Sequence, residues 1–463
     1  MALACAVISA GAANAAPQLR PWLLIEQEFT DNVDLSPDDD RQSAFVTRVT
    51  PGLIFRGRTS RFQGGVNAAL RTRYTTKGED SGFRVEGALT GDGVVELVPG
   101  RLLLEGEASI SQQVLNNAAA QSTANQDTVQ VYRLSPVVRQ RFDAFAIGEL
   151  RYTLGQILVN SDQASNTTSH VGQASLASGN DFDRLRWSLN NRISKSIRSD
   201  ASDVDQADSI AQAEYGLTRW FSPIVAGGYQ RFDSGTSRAD FDGPAYYGGF
   251  RWRPGRRTEL AVTYGKRDDR FSPATRLTYQ ITEDSRLIAS YAEGLSTAQQ
   301  RLSSNLSFIG IDRETGQFVD ERFDTPFDPR ADPFNIDDQI VYIKEARVAL
   351  GLARGRYAFG LQGYFGREED VDTGEEEEIY RADVTWSRRL GRNLSVNLTG
   401  GVEFISFPTG RDDDEYLVQP GLSYQLSPRA LLFADYRYRW QNSNDRSAEY
   451  AENRVAVGVR LSR

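Results

Sequence analysis

The chain has 463 residues, of which 40% are hydrophobic and 10% aromatic, and it carries a net charge of −9. That charge disfavours a nucleic-acid partner, which would need a basic face, and one histidine and one cysteine leave little material for a zinc site or thiolate chemistry. Past the N-terminal region no run approaches 18 consecutive apolar residues, so no transmembrane helix is readable.

In chain order, residues 1–16 read as a secretory leader: a short apolar run, then the small residues Ala13-Asn14-Ala15-Ala16, where Ala13-x-Ala15 is an A-x-A cleavage signal. Cys5 falls inside this leader, so the mature chain, 17–463, is expected to hold no cysteine. From about Pro21 onward one pattern repeats, with strands of roughly ten residues and period-2 alternation separated by connectors that alternate short and long. Val66, Ala68, Leu70 and Tyr74 lie opposite Asn67, Arg71 and Arg73. Leu185, Trp187, Leu189 and Ile193 lie opposite Arg184, Arg186 and Arg192. Leu394, Val396, Leu398, Val402 and Phe404 oppose Ser395, Asn397, Thr399 and Glu403. The run Ala430, Leu432, Ala434, Tyr436, Tyr438, Trp440 opposes Asp435, Arg437 and Arg439, and the last segment sets Val455, Val457, Val459 and Leu461 against Arg454 and Arg460. Side chains alternate across a strand, so one face can meet lipid and the other water.

The short connectors carry turn residues: Val98-Pro99-Gly100-Arg101, Arg253-Pro254-Gly255-Arg256, Glu283-Asp284-Ser285, Arg354-Gly355-Arg356, Leu390-Gly391-Arg392-Asn393 and Ser427-Pro428-Arg429. The long connectors are acidic, at 34–41, 198–208, 367–378 and 411–415. This grammar predicts an all-β fold: a transmembrane antiparallel barrel of about 22 strands (range 16–24) in a cell outer membrane, with short periplasmic turns, long outer loops and both termini in the periplasm. A soluble sandwich or propeller fits less well, because Arg-rich inward faces do not suit a dry core. The longest connector, 296–338, holds Pro326, Pro329 and Pro333 with several phenylalanines, and is expected either to fold inward as a constriction or to stand outside as a lid. With no plug domain ahead of the first strand, a TonB-dependent receptor is disfavoured.

The stretches Glu28-Phe29-Thr30-Asp31-Asn32-Val33-Asp34-Leu35-Ser36-Pro37, Val49-Thr50-Pro51-Gly52-Leu53, Gly106-Glu107-Ala108-Ser109-Ile110-Ser111-Gln112-Gln113, Leu134-Ser135-Pro136-Val137 and Ser290-Tyr291-Ala292-Glu293-Gly294-Leu295-Ser296-Thr297 resemble outer-membrane barrels associated with exosortase (PEP-CTERM) and exopolysaccharide loci, and the similar β-barrel porins of Alphaproteobacteria. The resemblance spans nearly the whole mature chain. It implies a pore-like barrel serving export or surface assembly of exopolysaccharide and supplies no catalytic residues. A general diffusion porin and a closed structural or assembly barrel are the alternatives. Many barrels end in an aromatic residue recognised during assembly, whereas this chain ends Val459-Arg460-Leu461-Ser462-Arg463.

No catalytic, cofactor or metal site is expected. His170 neighbours Ser169, and adjacent strand residues point to opposite faces, so the pair is badly placed for hydrolysis. His170 itself is expected in a loop or the lumen. The acidic runs Asp38-Asp39-Asp40, 375–378 and Asp412-Asp413-Asp414 lack EF-hand spacing and read as solvated loops, with cation bridging to lipopolysaccharide as the alternative. Arg71, Arg73, Glu149, Arg151, Arg184, Arg186, Glu345, Arg347, Asp383, Glu403, Asp435, Arg437 and Arg439 are expected to line the lumen, as a cross-strand ion lattice or as a basic strip guiding anionic solutes. Trp22, Tyr74, Trp187, Trp220, Trp252, Trp386 and Trp440 suit interfacial girdles, with sugar stacking as a second role. The partners this reading implies are outer-membrane lipid and lipopolysaccharide, a polysaccharide with its export machinery, and the barrel-assembly machinery.

Overall fold

A computed structural model describes residues 17–161, 164–235, 238–311, 317–328 and 333–463. The leader 1–16, its cleavage signal and Pro329 lie outside the described residues. Fifteen strands come first: Gln18–Thr30 (β1), Ala44–Arg58 (β2), Phe62–Thr75 (β3), Gly82–Val98 (β4), Leu102–Val114 (β5), Gln126–Phe142 (β6), Ala146–Val159 (β7), Thr167–Ser178 (β8), Leu185–Arg198 (β9), Val204–Tyr215 (β10), Phe221–Asp233 (β11), Phe241–Gly255 (β12), Thr258–Arg267 (β13), Arg270–Thr282 (β14) and Ser285–Thr297 (β15). A helix, Ala298–Leu306 (α1), and three short strands, Ile309–Ile311 (β16), Phe318–Asp320 (β17) and Thr325–Pro326 (β18), follow. Seven more strands complete the chain: Ile340–Arg354 (β19), Tyr357–Asp370 (β20), Glu376–Arg389 (β21), Leu394–Ser406 (β22), Asp412–Ser427 (β23), Ala430–Ser443 (β24) and Tyr450–Ser462 (β25).

Each long strand pairs antiparallel with its neighbour, β15 passes directly to β19, and β25 pairs with β1 from Trp22↔Ser462 to Thr30↔Arg454. The result is a closed 22-stranded antiparallel barrel. Closure removes both sheet edges, which would otherwise present unpaired backbone groups to lipid.

The alternation in the sequence becomes an inside and an outside. Leu398, Phe404, Leu432, Tyr436, Val455 and Val457 are exposed on the outer face, and Leu70, Leu189 and Ile193 continue the same apolar band. Their strand neighbours point inward. The short connectors gather at one rim: 59–61, 99–101, 143–145, 256–257, 283–284, 355–356 and 428–429 each follow a strand that runs toward the same end of the barrel. Gly100 and Gly355 there adopt φ of +67° and +60°, the left-handed region that glycine enters without a Cβ clash.

The acidic connectors are shorter than the sequence reading placed them. Residues 204–208 belong to β10, 367–370 to β20, 376–378 to β21 and 412–415 to β23. These strands continue above the apolar band, where the outward face also meets water. Charge therefore replaces the apolar half of the alternation and makes strand look like loop. One connector on the long-loop side is minimal: Asp268 and Asp269, at φ +47° and +58°, form a two-residue hairpin turn between β13 and β14.

Candidate functional site

The segment between β15 and β19 enters the barrel. Thr297 and Gln300 form a capping box that starts α1, with the Gln300 backbone N–H donating to Thr297 Oγ1 at 3.2 Å. One helical face then carries Leu302 and Leu306, four residues apart and both buried. They pack with Ile309 and Ile336 against Val129 and Val131 of β6 and Ile157 and Val159 of β7, all on the inner wall. Burying a Leu or Ile side chain fully is worth about 1.5–3 kcal/mol, so this patch anchors the insert at the end of the barrel carrying the long loops. Phe334 forms a second anchor on Ile379 and Ile405, from the inner faces of β21 and β22.

Beyond α1 the hairpins β16–β18 descend into the lumen and cross it. A Cβ at Gly65 of β3 would come within 2.9 Å of Ile311 Cδ1, so the glycine makes room for the insert against that wall. On the other side Arg276 of β14 donates to the Arg322 carbonyl at 2.7 Å, and Arg286 of β15 meets Asp324 at 3.4 Å. β3 and β14 are eleven positions apart in the ring of 22, on opposite walls. Arg286 follows the short turn 283–284, so the insert reaches toward the short-turn rim. Its return limb is fastened at Asp338, which accepts from Ser165 Oγ at 2.6 Å and from Gln299 Nε2 at 2.8 Å, while Arg198 donates to its carbonyl at 2.8 Å.

Of the residues expected to line the lumen, those on strands occupy inward-facing register positions, and most pair with one another. Arg151 contacts Glu105 at 2.5 Å and Glu149 at 3.2 Å, and Arg139 reaches Glu149 at 2.8 Å. Arg347 pairs with Glu345 at 2.6 Å and lies over the Tyr364 ring at 4.9 Å. Arg381 bonds Glu403, with Asp383 next on the same face of β21. Arg186 bonds Glu214, which Arg251 also meets at 3.0 Å. Arg437 pairs with Glu452 at 3.2 Å, and Arg439 with Glu415 at 2.5 Å. Arg454 comes within 3.8 Å of Asp435. Arg71 stands opposite Glu86 in register, and Arg73 is 3.5 Å from Asp80. Arg184 is apart from these pairs, exposed in the connector between β8 and β9. The wall is thus a mixed-sign lattice more than a basic strip. Glu28, Arg48, Glu105, Arg251 and Arg381 are further lattice members not expected from the sequence, although their inward parity was a signal.

Besides Arg184, two residues lie elsewhere than expected. His170 lies neither in a loop nor in the lumen: it sits on the outer face of β8, with Tyr152 Oη 2.6 Å from Nδ1. Parity decides this, because Ser169 takes the inward position. Trp22 also departs from the girdle. It faces inward over Gly52, where a Cβ would collide with its ring, and Arg460 lies 4.9 Å from the ring centroid. Trp252 and Tyr74 are exposed on the outer face, and Trp440 stacks between Tyr416 and Tyr438, each at 4.9 Å. Among the described residues no cluster of three or more His, Cys, Asp or Glu side chains is arranged to hold a metal ion.

A closed barrel with an apolar exterior, a polar ion-paired interior and an inserted loop defines a porin-like protein of outer-membrane type. The family described as "Putative beta-barrel porin 2" matches residues 378–463, covering nearly all of β21 and the strands through β25. No curated protein matches the chain. Among solved structures it is similar to the ferric enterobactin receptor of Pseudomonas aeruginosa, at 10% identity and a TM-score of 0.53, over 98% of this chain and 82% of that one. It is also similar to the siderophore receptor PirA of Acinetobacter baumannii, at 8% identity and a TM-score of 0.51, over 96% and 80%. At these identities the likeness is one of barrel fold.

Proposed function

We propose that the protein is a non-enzymatic solute channel of the outer membrane, narrowed by a crosspiece formed from the described residues between 298 and 339. The observation that carries this reading is the pair of contacts from one insert to opposite walls, Ile311 at Gly65 and Arg322 at Arg276. Water still reaches part of the inner wall beside the crosspiece: Asn190 and Arg192 of β9 face inward and are exposed. Ser175 and Gln173 of β8 and Gln212 of β10 share that side. Such a passage suits small polar solutes, with mixed charge giving weak sign selectivity. Liposome swelling tests it. Proteoliposomes should admit small sugars and reject oligosaccharides, and removing residues 309–326 should admit both. Impermeability of both forms to every sugar would overturn the channel reading.

A finer reading gives the channel a part in export or surface assembly of exopolysaccharide, with that machinery and lipopolysaccharide as partners. Its support is the resemblance of the hairpin stretches beginning at Glu28 and Ser290. Deleting the gene should then reduce surface polysaccharide without slowing uptake of small nutrients. The opposite result would leave the diffusion channel as the better account.

A further inference from the structure

The outer face carries a feature that solute passage does not use. Gly57, Gly64, Gly93 and Gly106 lie in register across β2, β3, β4 and β5, each paired with the next. By parity all four face outward, alongside the exposed Leu53, Val66 and Leu97. Four adjacent strands therefore lack side chains along one line, and a groove of about 550 Å³ lies over part of it. Gly93, Gly106 and Ala108 floor the groove, while Phe62, Leu134 and Leu154 wall it. The Phe62 ring lies at its lower end, 2.7 Å from where a Gly57 Cβ would be and 3.0 Å from a Gly64 Cβ.

The line is oblique. Gly57 adjoins Arg58, the last residue of β2, whereas Leu134, paired with Gly106, lies midway along β6. The Phe62 ring covers the line over Gly57 and Gly64, so the groove begins just above the short-turn rim, at Phe62 and Val95, and climbs over Gly93 and Gly106 toward mid-membrane, the course of an acyl chain anchored by its headgroup. At the rim stand Arg61, between β2 and β3, and Arg101, between β4 and β5, both exposed and neither in an ion pair among the described residues.

We infer that this groove binds an anionic glycerophospholipid of the periplasm-facing leaflet, one acyl chain lying over Gly93 and Gly106 and the phosphate meeting Arg61 and Arg101. An apolar groove on the lipid-facing side suits hydrocarbon, and the basic rim selects the headgroup charge. The inference does not depend on whether the lumen conducts.

Native mass spectrometry of the folded barrel, titrated with phosphatidylglycerol, phosphatidylcholine or lipid A, tests it. Phosphatidylglycerol should bind preferentially. At about fivefold per basic side chain, the Arg61→Ala/Arg101→Ala variant should lose roughly thirtyfold in affinity for it, and phosphatidylcholine should be unaffected. Gly106→Leu should weaken both phospholipids, because a Cβ there meets nothing closer than 3.9 Å and the longer side chain fills the groove. Ala108→Leu fills the same space should Gly106→Leu not fold, and Gly227→Leu, on open outer surface, is the control. Unchanged phosphatidylglycerol binding in a folded groove-filling variant, equal loss for both headgroups in the arginine variant, or preference for lipid A would each overturn the assignment.

Discussion

Arg454 Nη1 lies 3.1 Å from Glu28 Oε2, across the junction where the last strand meets the first. The bond is one rung of a luminal ladder: Arg48 also grips Glu28 and meets Glu26 at 2.6 Å, and Thr30 Oγ1 donates to Glu452 at 2.9 Å. Nothing covalent links β25 to β1, so pairing and this ladder hold the closure. Both Arg454 and Glu28 are largely buried, at 11% and 5% side-chain exposure. Removing one partner strands the other, a loss of about 3–5 kcal/mol. Glu28→Ala should therefore lower the denaturant midpoint of the folded barrel markedly. Asp205→Ala, which removes a partner of Lys195 on the exposed outer side, should cost no more than about 1 kcal/mol. Equal effects would show that the ladder is not what braces the seam.

Facing is tested by neighbours. Leu398 is exposed on the outer face and Asn397 points inward. Leu398→Arg should cost roughly 2–4 kcal/mol at mid-membrane and impair assembly, while Asn397→Arg is tolerated. Heat-modifiability on gels reads both, and identical behaviour would mean that the register of β22 is wrong.

Much of the barrel was legible in the sequence because one physical rule, alternation against lipid, acts along every strand. The strand number and the parity of Arg71, Arg151, Arg186, Arg437 and Arg439 follow from it. The rule fails where lipid ends, which is why residues 367–378 read as loop when much of that stretch is strand. It also fails where protein replaces water inside. Val129, Val131, Ile157 and Val159 are luminal and apolar because α1 covers them. The helix left its own marks, Thr297 with Gln300 and Leu302 with Leu306, but a proline-rich surrounding masked them. Which Glu answers which Arg was not readable, since that depends on stagger between strands.

Orientation is open to labelling. Single cysteines at Ser43, Asp203 and Glu376 should react with an impermeant maleimide on intact cells. Those at Gly100, Gly355 and Ser427 should react only once the outer membrane is opened. Asp412 is the proper reporter for its loop, because Asp413 is buried and bonded to Arg411. The inverse pattern would place the short turns outside.

The anchors of the crosspiece should be separable from the barrel. Leu302→Asp with Leu306→Asp places charge against Val131 and Ile157 and should release α1 from the wall. Protease should then cut within 307–326 in the variant but not in the parent, while the barrel remains folded on gels. Cutting at equal rates in both would mean that the apolar patch does not hold the insert.

Single-channel conductance in planar bilayers tests the central claim most directly. The parent should show small steps, and the barrel lacking residues 309–326, with α1 kept, should show several-fold larger ones, because the bridge from Gly65 to Arg276 is gone. Conductance that is the same with and without the bridge would contradict a lumen narrowed by the insert.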